Sequence, residues 1–377
     1  MGPALGFREV PWVVAGLALA FAQRAWWPLA AAVALTLYAK TVILETSPVP
    51  FIDVFTSNTR AADHFIAGRN PYTQVYPDIY GGGQDYRPGM VYWPAVLLWQ
   101  SAARAWLGDI RWGFVAAEVI TAGALSAALT RLGLTPRRAL LVVLAWALSP
   151  VAPFVFEQAW VDPLLTMAFA LFACAMAYEQ AMLAGCALGL AVAFKQYGAF
   201  GALAGLALAA RVFDRRRLAQ LVVAAAVTFA VTTLPVALRA LDPFLEMTLR
   251  VPSRMGLRRD ALSLLVFAAD RLTPSLATAI TLGVGGGATL AGAAWLYRLP
   301  RPTVAHWSAA AGVAYGGLFF FGKQAFCNYH HFLAAFVLLH GAALLAAAPQ
   351  PEPEPAARVE PEARAEPEPA RRRRRRR

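Results

Sequence analysis

Charge is scarce in this chain. Only 15% of its 377 residues are Asp, Glu, Lys or Arg, 59% are hydrophobic, and the mean hydropathy is +0.50. A soluble domain carries about 25% charged residues, so this shortage excludes an ordinary water-soluble fold and makes the bilayer the solvent. Metal-binding and disulfide patterns are lacking too. The three cysteines, Cys174, Cys186 and Cys327, are widely spaced and form no CxxC, which supports neither a zinc site nor a disulfide framework. Among the five histidines, His330 and His331 are adjacent, and on a helix they point about 100° apart, a poor geometry for sharing one metal. No cleavage-site pattern follows the short apolar run Val10 to Phe21, which reads as an extra span or an interfacial helix. No internal repeat is visible.

What the chain does have is apolar runs of membrane-spanning length, near 26–47, 111–132, 138–156, 160–179, 218–238, 274–297, 303–322 and 329–347, with two shorter ones at 181–194 and 197–212. The expected fold is an all-α polytopic membrane protein of about 10–11 transmembrane helices, formed by residues 1–347 with a long first outer loop at 48–110. Residues 348–377, rich in Pro, Glu, Ala and Arg, are expected to be a disordered cytoplasmic tail.

The formal net charge of +12 does not point to nucleic acid. Much of it lies in the terminal arginines 371–377 and in the clusters 137–138, 211–217 and 298–301, which the positive-inside rule assigns to the cytoplasm. One topology satisfies all of them if Arg24 is also cytoplasmic and 90–107, rich in Trp, lies at the outer interface without crossing. The first outer loop, the turn 149–160, the break at Lys195, the loop 239–273 and the turn 323–328 then share the outer face.

Those outer segments hold the unusual chemistry. Asp53 follows the first long span at the membrane surface, either as a general base or as a plain helix cap. Glu157 and Asp162 lie five residues apart in one turn; they read as paired carboxylates, or Asp162 caps the helix that Pro163 begins. Lys195 interrupts an apolar stretch with no acid near it in sequence, which marks a functional group or a lysine snorkelling to the interface. Arg239, Arg250, Arg254, Arg258 and Arg259 sit on the face that avoids positive charge, and suit either a phosphate ligand or lipid headgroups. Lys323, Asn328, Tyr329 and His330 could together contact a sugar or a phosphate, with interfacial anchoring as the competing account.

In order, the segments AADHFIAGRNPY, YRPGMVYWP, EQAWVDPLL, AGCALGLAVAFKQY and NYHHFL resemble the C-type (GT-C) membrane glycosyltransferases, and within them the bacterial polyprenyl-phosphate-mannose-dependent mannosyltransferase-like branch. Arg87 and Gly89 around Pro88, and Glu157 where that branch has Gly, depart from its pattern. The resemblance implies Asp53 as the base and Lys195 as a phosphate contact, with Asn70, Tyr72 and Tyr86 among the substrate-binding residues. It also implies inverting transfer from a polyprenyl-phosphate-linked sugar to a glycan, lipid or protein acceptor, without cofactor or obligatory metal, in a multi-pass protein of the inner (plasma) membrane. A secondary transporter and a non-catalytic glycan-handling protein are the alternatives.

Overall fold

A computed structural model describes residues 27–82 and 88–347; the Val10 to Phe21 run, Asp85, Tyr86, Arg87 and the tail lie outside them. Among the described residues every regular element is helical. Helix α1 (Trp27–Thr46) leads into α2 (Asp53–Ile66) and, after an extended loop, α3 (Pro94–Leu107). Then come α4 (Trp112–Arg131), α5 (Pro136–Ala147), the short α6 (Ala152–Glu157), α7 (Asp162–Ala177), α8 (Ala181–Phe194) and α9 (Gly198–Val212). Helix α10 (Arg215–Ala237) continues through irregular turns to Arg254, and α11 (Pro274–Arg298), α12 (Val304–Phe320) and α13 (Cys327–Ala347) complete the bundle.

Four described segments are long and apolar enough to cross a membrane: α4, the run Arg215–Arg254, α11 and α13; α7, α8 and α9 are apolar but shorter. The protein is an all-helical, multi-pass membrane protein. The expected span at 138–156 is broken, because Pro150 interrupts it and the chain turns between α5 and α6.

The linkers explain the arrangement. Two residues join α9 to α10, and three join α8 to α9, so consecutive helices must run antiparallel. The basic clusters 137–138, 211–217 and 298–301 therefore fall at one end of the bundle. The α1–α2 junction, the α6–α7 turn, Lys195, residues 238–273 and the α12–α13 turn fall at the other.

Small residues let the helices approach closely. Gly185 and Gly189 lie one turn apart on α8 against α10, where an added Cβ would strike the carbonyls of Leu221 and Ala225. That is the small-xxx-small contact by which membrane helices pack when no hydrophobic drive distinguishes lipid from protein. Within the core one cluster is aromatic: Phe169, Trp307, Tyr315, Phe332 and Phe336 meet edge to face or tilted.

Helices α2 and α3, each of 14 residues, are short and, unlike α7, α8 and α9, not apolar enough to count as spans, and they pack on one another. Helix α2 is amphipathic, burying Phe55, Asn58, Ala61 and Ala62 on one face. Helix α3 ends at Gly108, whose φ of 78° provides the left-handed cap. The sequence expectation for 90–107 as a segment that does not cross agrees with this length.

Candidate active site

A cavity of about 850 Å³ opens at the end of the bundle opposite the basic clusters. Residues from eight separate described segments line it, among them Asp53, Tyr80, Tyr92, Lys195, Arg258, Lys323, Asn328 and Tyr329. The four residues Asp53, Lys195, Arg258 and Lys323, spread over most of the chain, thus share one wall.

Asp53 is the first residue of α2, and its Oδ1 accepts from the N–H of Val54 at 2.9 Å. Tyr80 closes over it from the loop: the Asp53 N–H donates to the Tyr80 hydroxyl at 3.2 Å, and that hydroxyl lies 3.5 Å from Oδ1. Burial above all, with the nearby carboxylate, pushes the Tyr80 phenol up, so it stays protonated and able to donate. Behind this residue, Arg111 is wholly buried. It pairs with Asp109 at 2.7 Å and donates to the carbonyls of Ser47 at 2.8 Å and Pro48 at 3.3 Å, tying down the chain just before Asp53.

Lys195 ends α8, and its ammonium is not open. It donates to Asp162 at 3.1 Å, and both side chains are buried. Asp162 also accepts from the Tyr197 hydroxyl and from Asn328 Nδ2. The rings of Tyr92, Tyr197 and Tyr329 surround the Lys195 ammonium with centroids 5.4, 4.7 and 4.6 Å away. Asp162 is the first residue of α7, one place after the N-cap Val161, and its carboxylate anchors the bonds from Lys195, Tyr197 and Asn328.

Lys323, in the α12–α13 turn, differs in its partners. Its ammonium donates to the Ser253 carbonyl and to Thr278 Oγ1, each at 2.8 Å, and no carboxylate pairs with it among the described residues. Burial pushes it down to about 8. Arg258 lies beside it: the Arg258 N–H donates to the Lys323 carbonyl at 3.0 Å, and the guanidinium grips Asp260 at 2.7 and 2.9 Å, packed over Phe326. Those bonds from Arg258 hold the Asp260 carboxyl below the usual range.

The remaining residues singled out from sequence fall elsewhere. Asn70 caps a turn, accepting from the Tyr72 N–H at 3.0 Å and donating to the Val236 carbonyl at 3.2 Å. Tyr72 is buried, its hydroxyl donates to the Tyr92 carbonyl at 2.7 Å and its ring meets Phe244; Asn70 thus ties the first loop to α10 and Tyr72 ties it to itself, and neither lines the cavity. Glu157 ends α6 off the cavity wall, so Glu157 and Asp162 are not a working pair. His330 bonds the Leu262 carbonyl at 3.0 Å.

Arg259 is exposed and paired with Asp270, and Arg250 and Arg254 pair with Asp242 and Glu246. The arginines of this loop are thus balanced mainly by acids of the same loop, and of those five only Arg258 reaches the cavity.

Sequence reasoning passed over Tyr80, Tyr92, Trp160, Gln196 and Tyr197, all on the cavity wall. Gln196 and Tyr197 directly follow Lys195 and could have been read as part of that break. Tyr80 carries no local signal. No cluster of three or more His, Cys, Asp or Glu suited to a metal occurs among the described residues.

No family model and no curated protein matches the sequence. The fold does match a solved structure. The crystal structure of ArnT from Cupriavidus metallidurans, bound to undecaprenyl phosphate, is similar with a TM-score of 0.57 at 18% identity. The match covers 85% of this chain and 60% of ArnT, so this chain spans well under two thirds of its neighbour's length. At that identity the likeness establishes the architecture alone: an all-helical, multi-pass fold like that of ArnT.

Proposed function

We propose that this protein is a glycosyltransferase of the inner membrane, moving mannose or a related sugar from a polyprenyl-phosphate-linked donor to a glycan, lipid or protein acceptor at the outer face. The observation that carries this reading is one cavity joining a carboxylate, Asp53, to an unbalanced cation, Lys323, in a fold like that of a protein bound to undecaprenyl phosphate. The positive-inside rule supports the outer face, because the basic clusters lie at the opposite end.

The reaction is a single inverting displacement. Asp53 takes the proton of the acceptor hydroxyl, whose oxygen attacks the anomeric carbon. The bond from that carbon to the phosphate oxygen breaks, and polyprenyl phosphate leaves with the electron pair. Lys323 meets the charge that grows on the phosphate, where partial burial makes the interaction stronger than in water, while Arg258, balanced by Asp260, holds the Lys323 turn through its backbone bond. Apolar wall residues such as Leu249, Leu282 and Leu318 offer a path for the first isoprene units.

The test offers the purified protein a panel of polyprenyl-phosphate sugars with acceptor extracts of its own membranes. Transfer from at least one donor is expected. Import or export of a solute, with every donor left intact, would replace the enzyme with a transporter.

A further inference from the structure

Two cavity residues have hydrogen-bonding capacity left over, and the protein itself fixes its sense. Asn328 lines the cavity and is only 2% exposed. Its Nδ2 is committed to Asp162, which sets the amide so that Oδ1 is the edge left over. Oδ1 is buried and meets no hydrogen-bond partner among the described residues. A buried acceptor is costly to leave unpaired, so this position calls for a donor from a ligand.

The neighbouring ammonium supplies the opposite character. Lys195 carries three N–H bonds, and the two oxygens of Asp162, at 3.1 and 3.4 Å, take two at most. The rest lies among the rings of Tyr92, Tyr197 and Tyr329, within reach of the Tyr329 hydroxyl, a neutral partner that a sugar hydroxyl can replace. Because Asp162 cancels the charge of Lys195, the pair offers a phosphate no net attraction. With Asn328, it offers a neutral ligand one acceptor and one donor, both held by the Asp162 carboxylate.

We propose that Asn328 and Lys195 form a subsite that reads a vicinal diol of the transferred sugar, one hydroxyl donating to Asn328 Oδ1 and its neighbour accepting from Lys195. Asp162 is the positioning residue, since it fixes both the amide orientation and the place of the ammonium. The tyrosine rings flank the pair and suit the C–H faces of a pyranose or furanose. The inference rests on the glycosyltransferase reading and adds to it the class of sugar: neutral, with adjacent hydroxyls.

The test compares a polyprenyl-phosphate sugar that the wild-type protein transfers with each of its single-deoxy analogues. A site built around a hydroxyl rejects a substrate lacking it strongly. The wild type should prefer the full sugar to at least one analogue by roughly 100-fold or more in kcat/KM. Asn328→Ala should shrink that preference to within about tenfold while leaving undecaprenyl phosphate affinity unchanged. Asn328→Ser, a smaller residue that retains a hydroxyl, gives the same comparison if the alanine variant does not fold, with an intermediate preference expected.

A full preference retained by both variants would overturn the subsite while leaving the glycosyltransferase reading intact. A wild type that transfers no polyprenyl-phosphate sugar would overturn both.

Discussion

Breaking the Asp162–Lys195 pair should expose how the site is held together. The two groups are 3.1 Å apart, with side chains 1% and 7% exposed. At that distance an effective dielectric constant of about 20 gives roughly 5 kcal/mol of attraction, set against the cost of taking both charges out of water. Asp162→Asn leaves the ammonium buried without a counter-charge, which costs about 3–5 kcal/mol. Lys195→Met leaves a carboxylate that still accepts from Tyr197 and Asn328, so its cost should be smaller, about 2–3 kcal/mol. The double variant removes both charges and should cost clearly less than the sum, with a coupling of about 2 kcal/mol or more.

The chain has 11 tryptophans, so unfolding of detergent-solubilised protein by SDS can be followed by fluorescence. Two single variants within about 0.5 kcal/mol of wild type, and additive in combination, would refute the pairing and the network built on it.

Other expectations follow from the same geometry. Lys323 is charged below about 8 and neutral above it, so undecaprenyl phosphate binding should weaken as pH rises through 8. Lys323→Ala should weaken binding at low pH and flatten that dependence, whereas Lys323→Arg should carry tight binding to higher pH; titration by fluorescence quenching reads both. Gly185→Val should destabilise the fold by about 1–3 kcal/mol or more, because its side chain meets the backbone of α10, as the same SDS unfolding would show. Asn70→Ala removes a cap and should cost about 1 kcal/mol in that assay while leaving the KM for the donor unchanged. A tenfold rise in KM would place Asn70 on the substrate instead.

The helical architecture was legible because apolar runs of fixed length and the basic clusters between them follow directly from bilayer thickness and topology. Asp53 and Lys195 were legible as exceptions to that pattern, each an ionisable group where apolar or interfacial chemistry is the rule. What Lys195 does there was not legible. Its counter-charge, Asp162, lies 33 residues away, and Asn328 joins from 166 residues away, pairings that only the packing of α7, α8 and α13 creates.

For the phosphate role that the resemblance implied for Lys195, we propose Lys323 instead, on charge balance. The loop arginines misled for a local reason: their partners Asp242, Glu246, Asp260 and Asp270 are close in sequence, but pairing depends on how the chain turns. Asn70 and Tyr72 show the converse, residues of a resembling motif that shape the loop behind the cavity.

The central claim is that Asp53 is the base of a sugar transfer in this cavity. The most direct measurement is the initial rate of transfer from a polyprenyl-phosphate sugar by Asp53→Asn, beside its affinity for undecaprenyl phosphate. The account predicts a fall in kcat of at least about 100-fold with that affinity preserved. A variant that transfers sugar at the wild-type rate would contradict it.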